Sequence, residues 1–391
     1  MICLETQYLN INRILLLLLG LWPYQRSLLT KVQLILFVGI VTTFTICQFT
    51  TLITSECTLD FIFKVLSSAF FCSCLLIKYN SFWINADVLR SSLKQLQDVY
   101  NEINDENEIA IIQKYGNKAK TITILLLTLG MFCVLIFILL QMWPYIHDIV
   151  LTNKSLSVYH SVYFEIELFI DKEKYFYIFM LLYYSASCVG ALAIIGTGTM
   201  LITYFQHTCA MFSIASYRIE QAISILQKNN LKNERKSCEE IIRAVNIHCK
   251  AMALCHFLMS NFVGSYFLLI MAGMISLSSN LLRIVSLNNN MEQLVISIIL
   301  VIILYVYLFV SNHVGQEIMD HNDYVFVTVY NVNWYMAPLH IQRMILFLLQ
   351  RGTKSFNLNL GGIFVPSMKS AASLTSTSIS YFTVLYSTRQ N

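Results

Sequence analysis

Charge is what this sequence has least of. Only 12% of its 391 residues are Asp, Glu, Lys or Arg, about half of what a soluble globular chain carries. With 57% hydrophobic residues and a mean hydropathy of +0.62, this excludes an ordinary soluble domain and points to a membrane protein. Ionisable residues are nearly missing from the apolar stretches, and no inverted pair of interrupted helices stands out, which argues against a proton-coupled transporter. Catalytic motifs are missing too. There is no His-Glu-x-x-His helix, no repeated histidine box, no Walker loop and no Gly-x-Ser-x-Gly elbow. His248 and His256 have no carboxylate at ligand spacing, and His313 and His321 flank an inner membrane boundary. The expectation is a binding and gating protein with no enzyme activity, no cofactor, no metal and no nucleic-acid partner. No small-residue cleavage site follows Ile14–Leu21, because Trp22-Pro23 comes next. Residues 11–23 therefore read as a short interfacial helix ending at the proline.

What is present is a set of apolar runs long enough to cross a bilayer, each needing about twenty residues. They fall at 32–54, 61–79, 121–145, 175–204, 253–281, 294–314 and 363–387. The fold class is all-α and polytopic, with seven transmembrane helices. Lys64 and Lys78 lie near the two ends of the second run, where long side chains can snorkel to the interface.

Lysine and arginine orient the chain. With the N-terminus cytoplasmic, eighteen of them fall in inner segments and five in outer ones. An odd number of spans then leaves the C-terminus extracellular. The sequon Asn153-Lys154-Ser155 falls outside in this topology, which makes Asn153 a glycosylation candidate. Of eleven cysteines only Cys57 lies in an outer loop, so no intrachain disulfide staples that face. The outer loops are acidic, a charge that concentrates cations. Inside, Leu339–Leu349 is an apolar helix too short to span. It reads as buried among copies of itself, with the amphipathic stretches Ser216–Lys228 and Glu239–Lys250 packed against it. The organisation is thus an N-terminal cytoplasmic segment 1–31, six spans with their loops over 32–315, a cytoplasmic anchor 316–361 and a last helix with its tail over 362–391.

That last helix follows breaks at Gly361-Gly362 and Pro366. One face carries Ser373, Thr377, Ser380, Val384 and Ser387/Thr388 at three- and four-residue spacing. Lipid offers such a stripe no partner, so it faces other helices or water. A small-polar stripe interrupted by one aliphatic residue suits tight packing, and it equally suits a pore wall with a hydrophobic constriction.

Ser378-Ile379-Ser380-Tyr381-Phe382-Thr383-Val384-Leu385 resembles the closing signature of insect odorant receptors. Tyr330-Asn331-Val332-Asn333-Trp334-Tyr335, Gln350-Arg351-Gly352-Thr353-Lys354 and Gly361-Gly362-Ile363-Phe364 are similar to the segments that precede it in that family. Gly20-Leu21-Trp22-Pro23 resembles the family's N-terminal motif, and the C-terminal third is most similar to receptors of ants, bees and wasps. The resemblance implies a tetrameric, odorant-gated, non-selective cation channel in the plasma membrane of olfactory sensory neurons. This chain would be the variable subunit, joined to the shared co-receptor through a cytoplasmic anchor. It also implies a pore lined by Thr377, Ser380, Tyr381, Val384, Ser387 and Thr388 with its gate at Val384, Thr388 departing from the leucine expected in the co-receptor. The ligand, a small hydrophobic odorant, would bind in the outer half of spans two, three, four and six. Depth and chemistry there select Phe63, Ser67, Phe70, Phe132, Ile136, Leu140, Tyr177, Met180, Tyr184 and Tyr305. A gustatory receptor of the same superfamily is the nearest alternative, ahead of a metabotropic receptor or a transporter.

Overall fold

The computed structural model describes residues 9–25, 27–54, 59–147, 172–226, 231–286, 291–353, 356, 358 and 364–390. The sequon at Asn153 and the outer loop around it lie outside these. The described chain is helical: α1 Asn10–Leu18, α2 Leu28–Thr54, α3 Leu59–Ile84, α4 Ala86–Asn101, α5 Glu106–His147, α6 Lys172–Leu226, α7 Leu231–Ser286, α8 Met291–Asn331, α9 Leu339–Gly352 and α10 Met368–Gln390, with a 3-10 turn at Trp334–Met336. Six of them, α2, α3 and α5 to α8, are long and apolar enough to cross a membrane. The seventh expected span, α10, has the length at 23 residues, but its serines and threonines make it too polar to face lipid all round.

The inner segments between spans are themselves helical. α6 and α7 run for 55 and 56 residues, on the order of 80 Å against a hydrocarbon core of roughly 30 Å. Their inner halves therefore continue as a bundle below the membrane. Burial changes along the way. The membrane parts of α5 and α8 are largely unburied, whereas the inner part of α7 buries Ile241, Ala244, Ile247, Ala251, Leu254 and Leu258. That three- and four-residue spacing is one helix face. Ala210, Ala215 and Ala222 of α6 are fully buried, letting the helices approach closely. Cys238 of α7, just before the 239–250 stretch, reaches Met344 of α9.

Polar pairs pin this inner bundle. Arg218 of α6 grips Glu108 of α5 through two nitrogens, at 2.6 and 2.8 Å, with both side chains mostly buried. Glu317 of α8 accepts from Lys118 of α5 and from Gln206 of α6. Tyr115 of α5 bonds Ser213 at 2.8 Å and His321 at 2.6 Å, and Tyr100 of α4 meets His207 at 2.7 Å.

The N-terminal helix differs from expectation. It packs against α6, with Leu15, Leu16, Leu19, Leu21 and Trp22 buried while Ile14 and Leu18 stay exposed. Asn12 donates to Thr203 and accepts from Thr199, two residues one turn apart on α6, so its amide is satisfied on both sides by that helix. Gly196 permits it, since a side chain there would press on Leu19 and Leu15. The helix ends at Leu18 rather than at Pro23, because Gly20 turns the chain with φ +69°. A Cβ at Gly20 would also stand 2.7 Å from Gln33 Oε1. Gln33 in turn donates to the carbonyl of Leu18, and Tyr79 to that of Leu19, which satisfies the helix end inside the protein.

α10 begins at Met368, five residues after the start read from the sequence. Pro366 disfavours helix for the residue before it, and Ser367 caps the new helix by accepting from the Ser370 N–H. Asn312 of α8 accepts from the Ser367 N–H. Gly315 gives Pro366 its place, for a Cβ there would lie 2.4 Å from the Pro366 carbonyl.

Arg218→Ala strands the Glu108 carboxylate inside the inner bundle and is expected to destabilise the protein by about 3 kcal/mol. The melting temperature of the purified chain measures this. Arg235→Ala, which breaks only the exposed pair with Glu239, should leave it within about 0.5 kcal/mol of wild type.

Candidate functional site: a cavity between the membrane helices

The helices enclose a cavity of ≈ 290 Å³, walled by residues of α2, α3, α5, α6, α8 and one residue of α7. Its volume is that of roughly ten waters. Small residues make the room: Gly130 on α5 and Ala186, Ser187 and Ala191 on α6. Chemistry is graded along it. Gln48, Lys64, Arg283 and Gln293 stand toward the helix ends at Thr54, Leu59, Ser286 and Met291, while Leu75, Gly130, Ile194 and Ile303 form an apolar floor. Apolar walls with a few polar groups at one end suit a small, mostly hydrocarbon ligand. Arg283 is held in place by donating to Ser67 at 3.1 Å.

Two further chambers lie beyond that floor. One, ≈ 150 Å³, is bounded by α5, α6 and α8 with contributions from Lys78 and Tyr266. The other, ≈ 80 Å³, lies among α3, α7 and α8 and reaches Leu374 of α10. Ile194 and Ile303 line all three spaces. Phe71 is shared by the main cavity and the smaller chamber, and Gly130, Cys133 and Ile195 by the main cavity and the larger one.

The helices chosen from the sequence for the pocket, spans two, three, four and six, all contribute walls, joined by α2. The individual side chains do not. Phe63, Ser67, Phe70, Phe132, Ile136, Leu140, Tyr184 and Tyr305 are absent from the linings of all three spaces, and the side chains of Tyr177 and Met180 lie outside the described residues. The displacement has a pattern. Lys64, Ser68, Phe71, Cys133 and Phe137 line the main cavity, each one position after an expected residue. One residue is about 100° of helix rotation. Phe132 is 60% exposed and points outward. Phe70 packs with Cys74, Leu269 and Ala272, and Ser67 is a fully buried hydrogen-bonding post. The residues expected from aromaticity and depth thus share helices with the cavity wall but differ from it in phase. The stretch Ala186-Ser187 and Gly190-Ala191, small residues at helical spacing on span four, was the sequence signal that could have set it. A side chain at Gly190 would collide with Leu75.

Lys78 is a second correction. It does not snorkel to the interface: it is 5% exposed, lines both inner chambers, and holds its Nζ 5.0 Å from the centre of the Tyr307 ring. The residues beside it explain this, since Tyr79 and Phe82 are fully buried and leave the lysine no outward path.

On α10 two faces separate. Ala371 and Ser378 are buried, and Ser378 donates to Met274 of α7 while its carbonyl accepts from Ser278. On the other side Ser380, Tyr381, Val384, Ser387 and Thr388 are exposed in the single chain, with Thr377 between the two faces. Hydroxyls of Thr377, Ser380, Ser387 and Thr388 all bond carbonyls of their own helix, so the stripe makes no unmet demand on its surroundings. A second exposed surface runs along the inner end of α8 and α9, with Tyr330, Met336, Leu339 and Phe347 each at least 64% exposed.

Cys209, Glu317 and His321 come close enough to hold a metal ion. Their lone pairs are already taken up in a network, because Glu317 accepts from Lys118 and Gln206, and His321 is bonded to Tyr115 and the Glu317 carbonyl.

An all-helical polytopic membrane protein with a ligand-sized apolar cavity between its spans is a small-molecule receptor in architecture. The family profile described as 7tm odorant receptor matches residues 58–379, most of the sequence, and the chain belongs to that family. No curated protein matches it. Among solved structures, the fold is similar to the insect olfactory receptor OR5 from Machilis hrabei in complex with eugenol, with a TM-score of 0.81 at 14% identity over 98% of both chains. A second structure of the insect olfactory receptor OR5 from Machilis hrabei gives 0.79 at 14% identity over 97% of both chains. At that identity the likeness is one of fold.

Gly130→Ala tests the cavity. The added Cβ would stand 2.3 Å from Ile195 Cδ1, so the isoleucine tip must move within the space both residues line. The largest active ligands are expected to lose about tenfold in potency while the smallest keep theirs, measured as dose–response curves on the variant.

Proposed function

We propose that this odorant receptor is the ligand-binding subunit of an odorant-gated, non-selective cation channel. The N-terminus is cytoplasmic, α10 lines the pore with its C-terminal end extracellular, and the narrowest point is at Val384. The observation that carries the reading is the placement of α7 between cavity and last helix. Ser276 bonds the Ser67 carbonyl of α3 at 2.9 Å, and Ser278 bonds the Ser378 carbonyl of α10 at 3.2 Å. One rigid helix therefore touches both the ligand wall and the helix whose small-polar face is open. A ligand that fits one arrangement of α3, α7 and α8 better than another shifts α10 with it, and only that difference in affinity opens the pore.

A ligand of roughly a dozen heavy atoms at about 0.5 kcal/mol each binds with on the order of 6 kcal/mol, a dissociation constant of tens of micromolar. The exposed apolar residues of α8 and α9 are the surface through which the subunit joins the shared co-receptor below the membrane, as the family resemblance implies. Burying such residues is what an obligate interface uses them for.

The deciding experiment is whole-cell recording from cells expressing the chain with and without an insect olfactory co-receptor under a panel of volatiles. An evoked cation current that needs both subunits and survives G-protein blockade is expected. A current abolished by G-protein blockade would reject the channel. In the same cells Val384→Ala, at a side chain 62% exposed in the single chain, should raise basal current or alter permeation. Unchanged conduction at normal surface expression would remove Val384 from the gate.

A further inference from the structure

Lys78 is unexplained by the cavity as described. A lysine inside a membrane bundle is costly to bury, and the cost is normally met by a carboxylate. Among the described residues no carboxylate pairs with it, and its ammonium lies over the face of Tyr307, a contact worth only a few kcal/mol at most. The side chain is more than nine-tenths buried, yet it borders both inner chambers. It is also within reach of the main cavity. Leu75, the innermost α3 residue of that wall, stands three positions before Lys78, on the same helix face and about 4.5 Å outward. Ile194 and Ile303 border the main cavity and both inner chambers. Other polar groups of the inner walls are occupied within the protein: Ser311 donates to the Leu308 carbonyl, and Asn312 donates there and accepts from Ser367. Tyr266 and Tyr307 present hydroxyls to the same chambers, and among their described lining residues Lys78 is the one cationic donor.

We propose that Lys78 is the polar anchor of the ligand site, its Nζ donating to the carbonyl oxygen of an aliphatic acid or ester whose hydrocarbon tail passes Ile194 and Ile303 into the main cavity. This rests on the cavity being the odorant site. The ligand then lies head inward and tail outward, with Tyr307 holding the lysine in line when the site is empty. Hydrocarbons of the same length fill the same space but leave the donor unanswered. The receptor is accordingly tuned to carbonyl-bearing chains over bare alkanes.

The test uses the purified full-length chain and four probes of matched chain length: nonane, octan-1-ol, methyl heptanoate and octanoic acid. Affinity is read from the rise in melting temperature with probe concentration. The ester and the acid are expected to bind at least about tenfold more tightly than nonane. Lys78→Met should remove that difference while leaving nonane unaffected, and Lys64→Met, at the opposite end of the cavity, should preserve it. Tighter binding of the acid than of the ester would assign a carboxylate head, and equal binding a neutral carbonyl. The anchor is overturned if wild type binds nonane as tightly as the ester, a result that needs no variant to fold. It is also overturned if the preference disappears in Lys64→Met and persists in Lys78→Met. Failure of the cavity itself looks different: no probe raises the melting temperature, or Gly130→Ala binds all four as wild type does.

Discussion

Within the hydrocarbon there is nothing for a polar group to bond except the protein itself, and most of this structure is organised around that fact. Hydroxyls in the spans turn back to carbonyls one turn earlier, as Thr42, Thr45, Ser73 and Thr197 do. Asn12 enters the bundle only with two threonines to meet it. The short N-terminal helix is thereby fastened to α6, and the glycine turn behind it closes over a glutamine and a tyrosine that satisfy its last carbonyls. Because lipid tails are as apolar as leucine, closeness between helices has to come from small side chains. The same small side chains that let α6 approach α3 and α5 also leave the space between them.

Below the membrane the physics changes and the construction changes with it. Here water drives apolar faces together, and the long helices carry regular buried stripes fastened by the Arg218–Glu108 and Tyr115–His321 contacts. Helices α5 to α8 are continuous through both regions. Movement of a span relative to its neighbours therefore reaches the inner bundle along a stiff rod, with no hinge between the two environments.

The architecture was largely legible in the sequence, because hydropathy reports directly on lipid contact: six of seven spans appear as apolar helices, and the seventh departs in composition for the reason its stripe suggested. The site was legible only to the level of its helices. Phase around a buried helix leaves little trace when every face is apolar, so Phe132 and Cys133, adjacent in sequence, could not be told apart as lipid-facing and cavity-facing. Lys78 was misplaced for a related reason. Its position near the end of a span suggested an exit to the interface, and only the burial of Tyr79 and Phe82 beside it closes that exit. The seating of the N-terminal helix depends on Gly196 and on Thr199 and Thr203, nearly two hundred residues away, a distance no local pattern spans.

Ile194 and Ile303 are shared by all three internal spaces, and this shapes how such a receptor can diverge after gene duplication. Valine, threonine, methionine, leucine and phenylalanine are each one nucleotide away from an isoleucine codon. A change at either position reshapes all three spaces at once instead of trimming one wall, so the accessible ligand length jumps instead of drifting. Daughter genes can acquire separate ligand ranges in a single mutational step while the helices that build the bundle are inherited.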